Sequence, residues 1–483
     1  MSNGSGKAKT LGVFALAMIN VAAVLSLRNY PSMAVYGWSS IGWYVIGTIA
    51  FFIPLTLAGA ELATGWPKGG GVYAWVKEAF GEASGFIAVF CEWSNNLVWF
   101  PTVLAFVAST FAYAFNPDLA SNNVFMFVVM LVAFWGTTAV ALLGEKASSR
   151  FTSFGVIGGS IIPAVLIIVL GLLYVATGKP MALPPFSLSA TVPVINLSTL
   201  PFIATVVLLF AGMEMAGFHA LEVRNPQKDF PKAMAVSAVI IFVLTVIGTL
   251  AIAIVVPVDQ LNLAAGLMQA FQIFLQAFNL TVLMTPLALL VALGGVALLA
   301  SWLIGPALGL GEIAAHGNMP QFFGRLNKRG APAGVLLLQA VIGTVVSMLY
   351  LFIPSISAAY WVLSALTVLL LCIVYLFVFA ALIKLRYSQP DTPRAFKIPG
   401  GKAGAWIVGG VGFVACVFTF IVSLVPPGDS GIPILGYALI MLAGTAVLAL
   451  PPLVFLKLKK PSWMPAATEA TETPVNKPAP KGA

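Results

Sequence analysis

Charge is what this sequence has least of. Only 8% of its 483 residues are Asp, Glu, Lys or Arg, against about a quarter in a soluble globular protein. Because 60% of the residues are hydrophobic, soluble domains of this total length have no room to hide the apolar surface. Cysteine is scarce too. Cys91, Cys372 and Cys416 each fall within an apolar run, without pairing or ligand spacing, which argues against a disulfide framework and a zinc site. There are two histidines. With them and a few scattered carboxylates, no nucleophile–base pair or metal cluster can be assembled, so the sequence points to no enzyme, catalytic residue, metal or cofactor. The rings of identical side chains or the selectivity loop of a channel are missing as well.

What the sequence does have is a series of apolar runs of about 20 residues, the length that crosses ~30 Å of hydrocarbon. In lipid each backbone N–H and C=O must be satisfied within the segment, so runs of this length are helices. The prediction is an all-α polytopic membrane protein embedded in a lipid bilayer. Twelve spans are expected, near 11–36, 40–64, 84–114, 123–143, 152–177, 200–221, 233–256, 281–311, 333–353, 357–385, 404–425 and 431–457. Turn-forming stretches punctuate them, among them Asn116-Pro117-Asp118, Pro184-Pro185 and Pro426-Pro427-Gly428-Asp429. The short amphipathic segment 263–279 belongs at the interface rather than across it. The first run, from Leu11, lacks a small-residue cleavage site and is followed by further spans, so it reads as a span and not as a signal peptide.

The basic residues orient this array. With the N-terminus inside, all but two of the 24 Lys and Arg residues fall in cytoplasmic segments; Lys179 lies outside and Arg28 lies within a span. A miscounted span would invert every later loop and scramble the asymmetry. The positive-inside rule therefore supports twelve spans with both termini cytoplasmic. It also accounts for the net charge of +9 without nucleic acid as a partner. Residues 1–10 form a cytoplasmic N-terminal segment, 11–457 the membrane domain, and 461–483, rich in Ala, Thr, Pro and Lys, a disordered cytoplasmic tail.

Charges inside lipid are costly and rare, so each is a functional candidate. They are Arg28, Glu61, Glu92, Glu214 and Glu312, with His219 beside them. Glu61 and Glu312 fall near cytoplasmic span ends and read as solvated or capping carboxylates, and His219 reads as structural. Glu214 sits mid-span in Ala211-Gly212-Met213-Glu214-Met215-Ala216-Gly217, where two glycines weaken the helix and permit close approach. It is either part of a site or a buried carboxylate in a packing motif. Span one carries Asn20 and the small pair Ala22-Ala23, then Arg28-Asn29-Tyr30-Pro31. Pro31 disturbs the preceding turn, and the helix ends left by such breaks can bind a carboxylate and an amine. Arg28 has three readings: an acid-binding group, a partner of Glu92 or Glu214, or a side chain snorkelling to the interface. In span three Glu92, Asn95, Asn96 and Trp99 share one face, turned either to a cavity or to hydrogen bonds with neighbouring helices. The interruptions in spans one and six lie five spans apart, which points to an inverted-repeat transporter with repeats at 11–177 and 200–385 and two appended spans in 404–457.

Several stretches carry a resemblance. They are Pro67-Lys68-Gly69-Gly70-Gly71-Val72-Tyr73-Ala74-Trp75, Glu222-Val223-Arg224-Asn225-Pro226 running to Pro231-Lys232-Ala233, Ala300-Ser301-Trp302-Leu303-Ile304-Gly305-Pro306, and Phe396-Lys397-Ile398-Pro399-Gly400-Gly401-Lys402. Over about residues 10–457 the chain resembles the amino acid–polyamine–organocation superfamily, nearest the branch of bacterial glutamate/γ-aminobutyrate antiporters. The resemblance implies a LeuT-like 5+5 inverted repeat with helices 1 and 6 broken, alternating access in the bacterial inner membrane, and substrate contacts near Asn20, Ala22 and Ala23, at Ala211, Gly212, Met213 and Glu214, at Trp302 and at Tyr375. Three departures stand out. Ala22-Ala23 replaces the usual glycine-rich break, Leu298 stands where the acidic antiporters carry a Glu, and Glu92 stands where a Gln-like residue is common. The tail also has no histidine, so the cytoplasmic plug of the acid-resistance antiporter is not expected.

The reading is a secondary amino acid transporter, an exchanger or proton-coupled. Helix ends in spans one and six would take the substrate's carboxylate and amine. Glu92, Asn95, Asn96, Trp302 and Glu214 would select the side chain, with Glu214 or Glu92 as proton carrier. Its partners are a small amino acid and a counter-substrate or proton; no oligomeric state follows. The alternative is a polyamine or basic amino acid carrier, with Glu92 and Glu214 holding a second positive charge.

Overall fold

The computed structural model describes residues 11–67, 71–196, 206–207, 209–215, 223–352, 356–426 and 433–463. Among these, eleven helices are long and apolar enough to cross a membrane. They coincide with eleven of the twelve expected runs. The remaining run, 200–221, lies largely outside the described residues.

The first span is two helices, α1 (Val13–Val24) and α2 (Tyr30–Ala34). Then come α3 (Ser39–Gly65), the short α4 (Val72–Phe80), α5 (Glu82–Ala112), α6 (Asn123–Leu142) and α7 (Phe154–Ala176). After residues 206–215 follow α8 (Pro226–Ala253), α9 (Gly266–Ala277), α10 (Met284–Ala315), α11 (Ala333–Ser347), α12 (Ile356–Ser388), α13 (Gly401–Val422) and α14 (Ile434–Ala449).

Burial divides the spans into an inner and an outer set. The most apolar window of α5 is 94% buried and that of the span containing α10 72%, whereas the windows of α6 and α13 are each 33% buried. Lipid offers no partner to a polar side chain, so a polar stripe on a spanning helix survives only where it faces protein. That is why Glu92, Asn95, Asn96 and Thr102, all on α5, are buried. The outer helices instead present Leu, Val, Ile and Phe. Val132, Ile407, Val414 and Val447 are all more than 60% exposed, as surface solvated by lipid tails would be.

The amphipathic segment is the helix α9. Its apolar face is turned into the protein, with Leu267, Met268, Phe271 and Phe274 fully buried. Ser109 Oγ donates to the Ala264 carbonyl oxygen at 2.8 Å, and Asn262 Oδ1 accepts from the backbone N–H groups of Ala264 and Ala265, fixing the entry to α9. Gly266 lies against Pro31: a Cβ there would stand 2.8 Å from the proline ring. The segment is thus docked on α2.

Candidate functional site

The site begins with the break in the first span. α1 runs through Ala22 and Ala23 and ends at Val24. Leu25 and Ser26 are extended, Leu27–Asn29 make one 3-10 turn, and α2 starts at Tyr30 with Pro31 in its first turn. The small pair Ala22-Ala23 is therefore not the break, which falls two residues later. The reason is local: alanine is the best helix former, whereas proline lacks an N–H and disfavours helical backbone just before it, so it sits most easily in a first helical turn. The helix restarts at the proline and the interruption collects just before it.

The second break is at Ala211-Gly212, between helical Phe210 and the 3-10 turn of residues 213–215. Gly212 has φ +115°, which other residues rarely adopt. A Cβ on it would lie 3.1 Å from the Trp302 ring, 3.2 Å from the Ala23 carbonyl oxygen and 3.3 Å from the Val24 side chain. The two breaks therefore touch. Gly212→Ala should destabilise the protein by roughly 1–3 kcal/mol through backbone strain and lower its uptake rate. Thermal unfolding and initial-rate uptake both matching the parent would refute this.

Trp302 locks the junction. Its Nε1 donates to the Ala23 carbonyl oxygen at 3.3 Å, its own carbonyl oxygen accepts from Asn96 Nδ2 at 3.3 Å, and its ring centroid lies 5.5 Å from that of Trp99. A cavity opens here. Ala23, Val24, Ser26, Arg28 and Asn29 line it from the first break, Asn95, Asn96 and Trp99 from α5, Ala211 from the second break, Leu298 and Trp302 from α10, and Leu371 from α12. Among these, Arg28 is the one charged side chain.

Residues 11–448 match the family model described as an amino acid permease. The chain belongs to this permease family. It is 42% identical over 433 residues to an uncharacterized transporter of Legionella pneumophila, a match covering 88% of this chain and 91% of that protein. It is 29% identical over 458 residues to a glutamate/γ-aminobutyrate antiporter of Lactococcus lactis, covering 93% and 91%. A probable agmatine/putrescine antiporter of the same organism is 25% identical over 433 residues, covering 88% and 90%. The permease is a multi-pass membrane transporter of amino acids or amines, and not an enzyme.

Its structure sorts the residues singled out above. Arg28, Ala23, Asn95, Asn96, Ala211 and Trp302 meet at the cavity. Ala22 lies within α1, and Gly212 and Met213 belong to the second break; none of the three is in the lining. Asn20 points elsewhere: its Nδ2 donates to Met234 Sδ and to Ser237 Oγ, both at 3.2 Å, so it ties α1 to α8. Glu214 and Tyr375 pair beside the cavity, the phenol donating to Oε1 at 2.9 Å while Oε2 accepts the Gly212 N–H at 3.2 Å. The carboxylate thus reaches back over its own break. Glu92 is fully buried, and neither of its oxygens has a hydrogen-bond partner among the described residues. Asn95 Nδ2 donates to the Glu92 carbonyl oxygen.

Arg28 neither snorkels nor pairs with Glu92 or Glu214. It is 1% exposed, and its Nη1 donates to Thr102 Oγ1 at 2.6 Å. Its guanidinium carbon lies 5.3 Å from the Tyr360 ring centroid and 5.7 Å from that of Trp99, and Tyr360 donates to Asn29 Oδ1 at 3.2 Å. Thr102 extends the polar stripe of α5 by the same three-residue step from Trp99, so its part was legible in the spacing. Tyr360, Leu371 and the free edge of Arg28 had no such signal.

Glu61 is also placed differently from expectation. It is 1% exposed and ion-paired with Arg386 and Arg394, so it is no solvated cap. Glu312 is exposed. His219, Ala216 and Gly217 lie outside the described residues.

Proposed function

We propose that the permease is a secondary active transporter that exchanges amino acids by alternating access. Residues 200–221 would supply a twelfth span, spans 1–5 and 6–10 the two inverted repeats, and both termini would face the cytoplasm of a bacterial inner membrane. The observation that carries this is the junction of the two breaks: a cavity bounded by two interrupted helices, small residues, amides and a tryptophan. Helix ends at such a junction offer backbone groups to a carboxylate and an amine at once. The amine reading draws support from the agmatine/putrescine relative, but it needs a carboxylate in contact with the ligand, and neither Glu92 nor Glu214 is in the lining.

Purified permease in liposomes loaded with one amino acid should take up a labelled second one only when the internal amino acid is present. Uptake that ignores the internal load would reject exchange. Glu214 is the proposed proton carrier, since it is buried beside the cavity and held by one phenol and one backbone N–H. With Glu214→Gln, uptake measured at acidic and at neutral pH should lose most of its pH dependence. An unchanged profile would remove Glu214 from proton coupling.

A further inference from the structure

The buried Arg28 carries a hydrogen-bonding edge that the protein does not use. Nη1 is committed to Thr102, while Nε and Nη2 have no hydrogen-bond partner among the described residues. Nε and Nη2 form one edge of the planar guanidinium, and such an edge matches the two oxygens of a carboxylate. The permease uses that same edge elsewhere, where Arg386 Nε and Nη2 grip the two oxygens of Glu61. The aromatic rings of Tyr360 and Trp99 flank the Arg28 guanidinium and restrict how it can turn. A buried cation with at least three of its five N–H donors idle is unfavourable by itself, and an arriving anion relieves that cost.

We propose that Arg28 is the carboxylate receptor of the cavity, taking one carboxylate of the transported amino acid side-on through Nε and Nη2. This rests on the amino acid exchange reading above and names the side chain that would enforce it. The cavity would then select for molecules that carry a carboxylate and against diamines, which bring only positive charge to a cationic lining. The carboxylate can come from two sources: the α-carboxylate or that of the side chain.

The test is counterflow of labelled glutamate, γ-aminobutyrate, glutamine and putrescine into liposomes carrying wild type, Arg28→Lys or Arg28→Gln. γ-Aminobutyrate keeps the side-chain carboxylate alone and glutamine the α-carboxylate alone. Arg28→Gln should raise KM roughly 10- to 100-fold for the carboxylate that Arg28 holds, with Arg28→Lys intermediate because it keeps the charge without the fork. A rise for glutamate and γ-aminobutyrate but not glutamine assigns the side-chain carboxylate. A rise for glutamate and glutamine but not γ-aminobutyrate assigns the α-carboxylate. Unchanged KM for all three in a folded, active Arg28→Gln overturns the proposal. Wild type that exchanges putrescine alone, or none of the four, overturns the amino acid reading and this proposal with it. Ligand-dependent thermal stability of wild type decides the matter if Arg28→Gln does not fold. Carboxylate probes should then stabilise where putrescine does not, and equal stabilisation by putrescine would count against Arg28.

Discussion

Glu61→Gln is expected to destabilise the permease by about 3–5 kcal/mol, the usual cost of removing one partner from a buried ion pair. Glu61 accepts from Arg386 Nε and, at 2.6 Å, from Nη2, from Arg394 Nη1 at 3.4 Å and from the Ile398 N–H at 2.9 Å. Both arginines are themselves built in. Arg386 donates to the carbonyl oxygens of Ile398 and Gly401. Arg394 donates to those of Leu385 and Gln389 and lies over the Trp66 ring at 4.8 Å. One carboxylate therefore joins the end of α3 to the end of α12 and to the loop before α13, the same loop that carries Phe396-Lys397-Ile398-Pro399-Gly400-Gly401-Lys402. Glutamine keeps the size but leaves two buried guanidinium groups without a counter-charge. The measurement is thermal or denaturant unfolding in detergent. Adding Arg386→Met to Glu61→Gln should recover part of the loss, because it removes one of the orphaned charges. A Glu61→Gln protein within about 1 kcal/mol of the parent would mean that the cluster is not held by charge.

Gly294→Ala should cost nearly as much, for a steric reason. The turn Ile157–Ile161 in α7 crosses α10 where Gly159 faces Gly294. A Cβ on Gly294 would collide with the carbonyl of Gly159, and one on Gly159 would collide with the backbone of Gly294 and the Leu290 carbonyl oxygen. These neighbours are main chain, so no rotamer change makes room and the helices must separate. Overpacking costs about 1–3 kcal/mol, and this site belongs at the top of that range. Small residues at such crossings are what lets transmembrane backbones pack closely. Gly436→Ala is the control. It lies on α14 with open space around the added methyl, and it should be neutral or slightly stabilising, since alanine favours helix over glycine by roughly 0.5–1 kcal/mol. Equal unfolding midpoints for Gly294→Ala and Gly436→Ala would refute the close crossing.

The spans themselves were legible because hydropathy is local: twenty apolar residues in a row must be helical in lipid whatever surrounds them. Glycine and proline punctuation located both interruptions, since the backbone freedom of Gly212 and the missing N–H of Pro31 are properties of single residues. The three-to-four spacing on α5 marked Glu92, Asn95, Asn96 and Trp99 as one face; the last three line the cavity, and Glu92 does not. Periodicity failed where the answer depended on a partner far along the chain. Asn20 and Arg28 are both polar residues on the first span, yet one is spent on Met234 and Ser237 of α8 and the other is a buried part of the cavity lining. Glu61 looked like a span-end carboxylate until residues more than 300 positions away supplied its arginines.

Sequence alone therefore determined that this protein lives in a membrane as a bundle of helices, and where two of them give way. Only the tertiary structure decided which polar groups are satisfied and which are left with unused hydrogen bonds. Helix formation in lipid is enforced residue by residue, but the pairing of buried polar atoms is settled by which helices pack together, and that is what left one edge of Arg28 free.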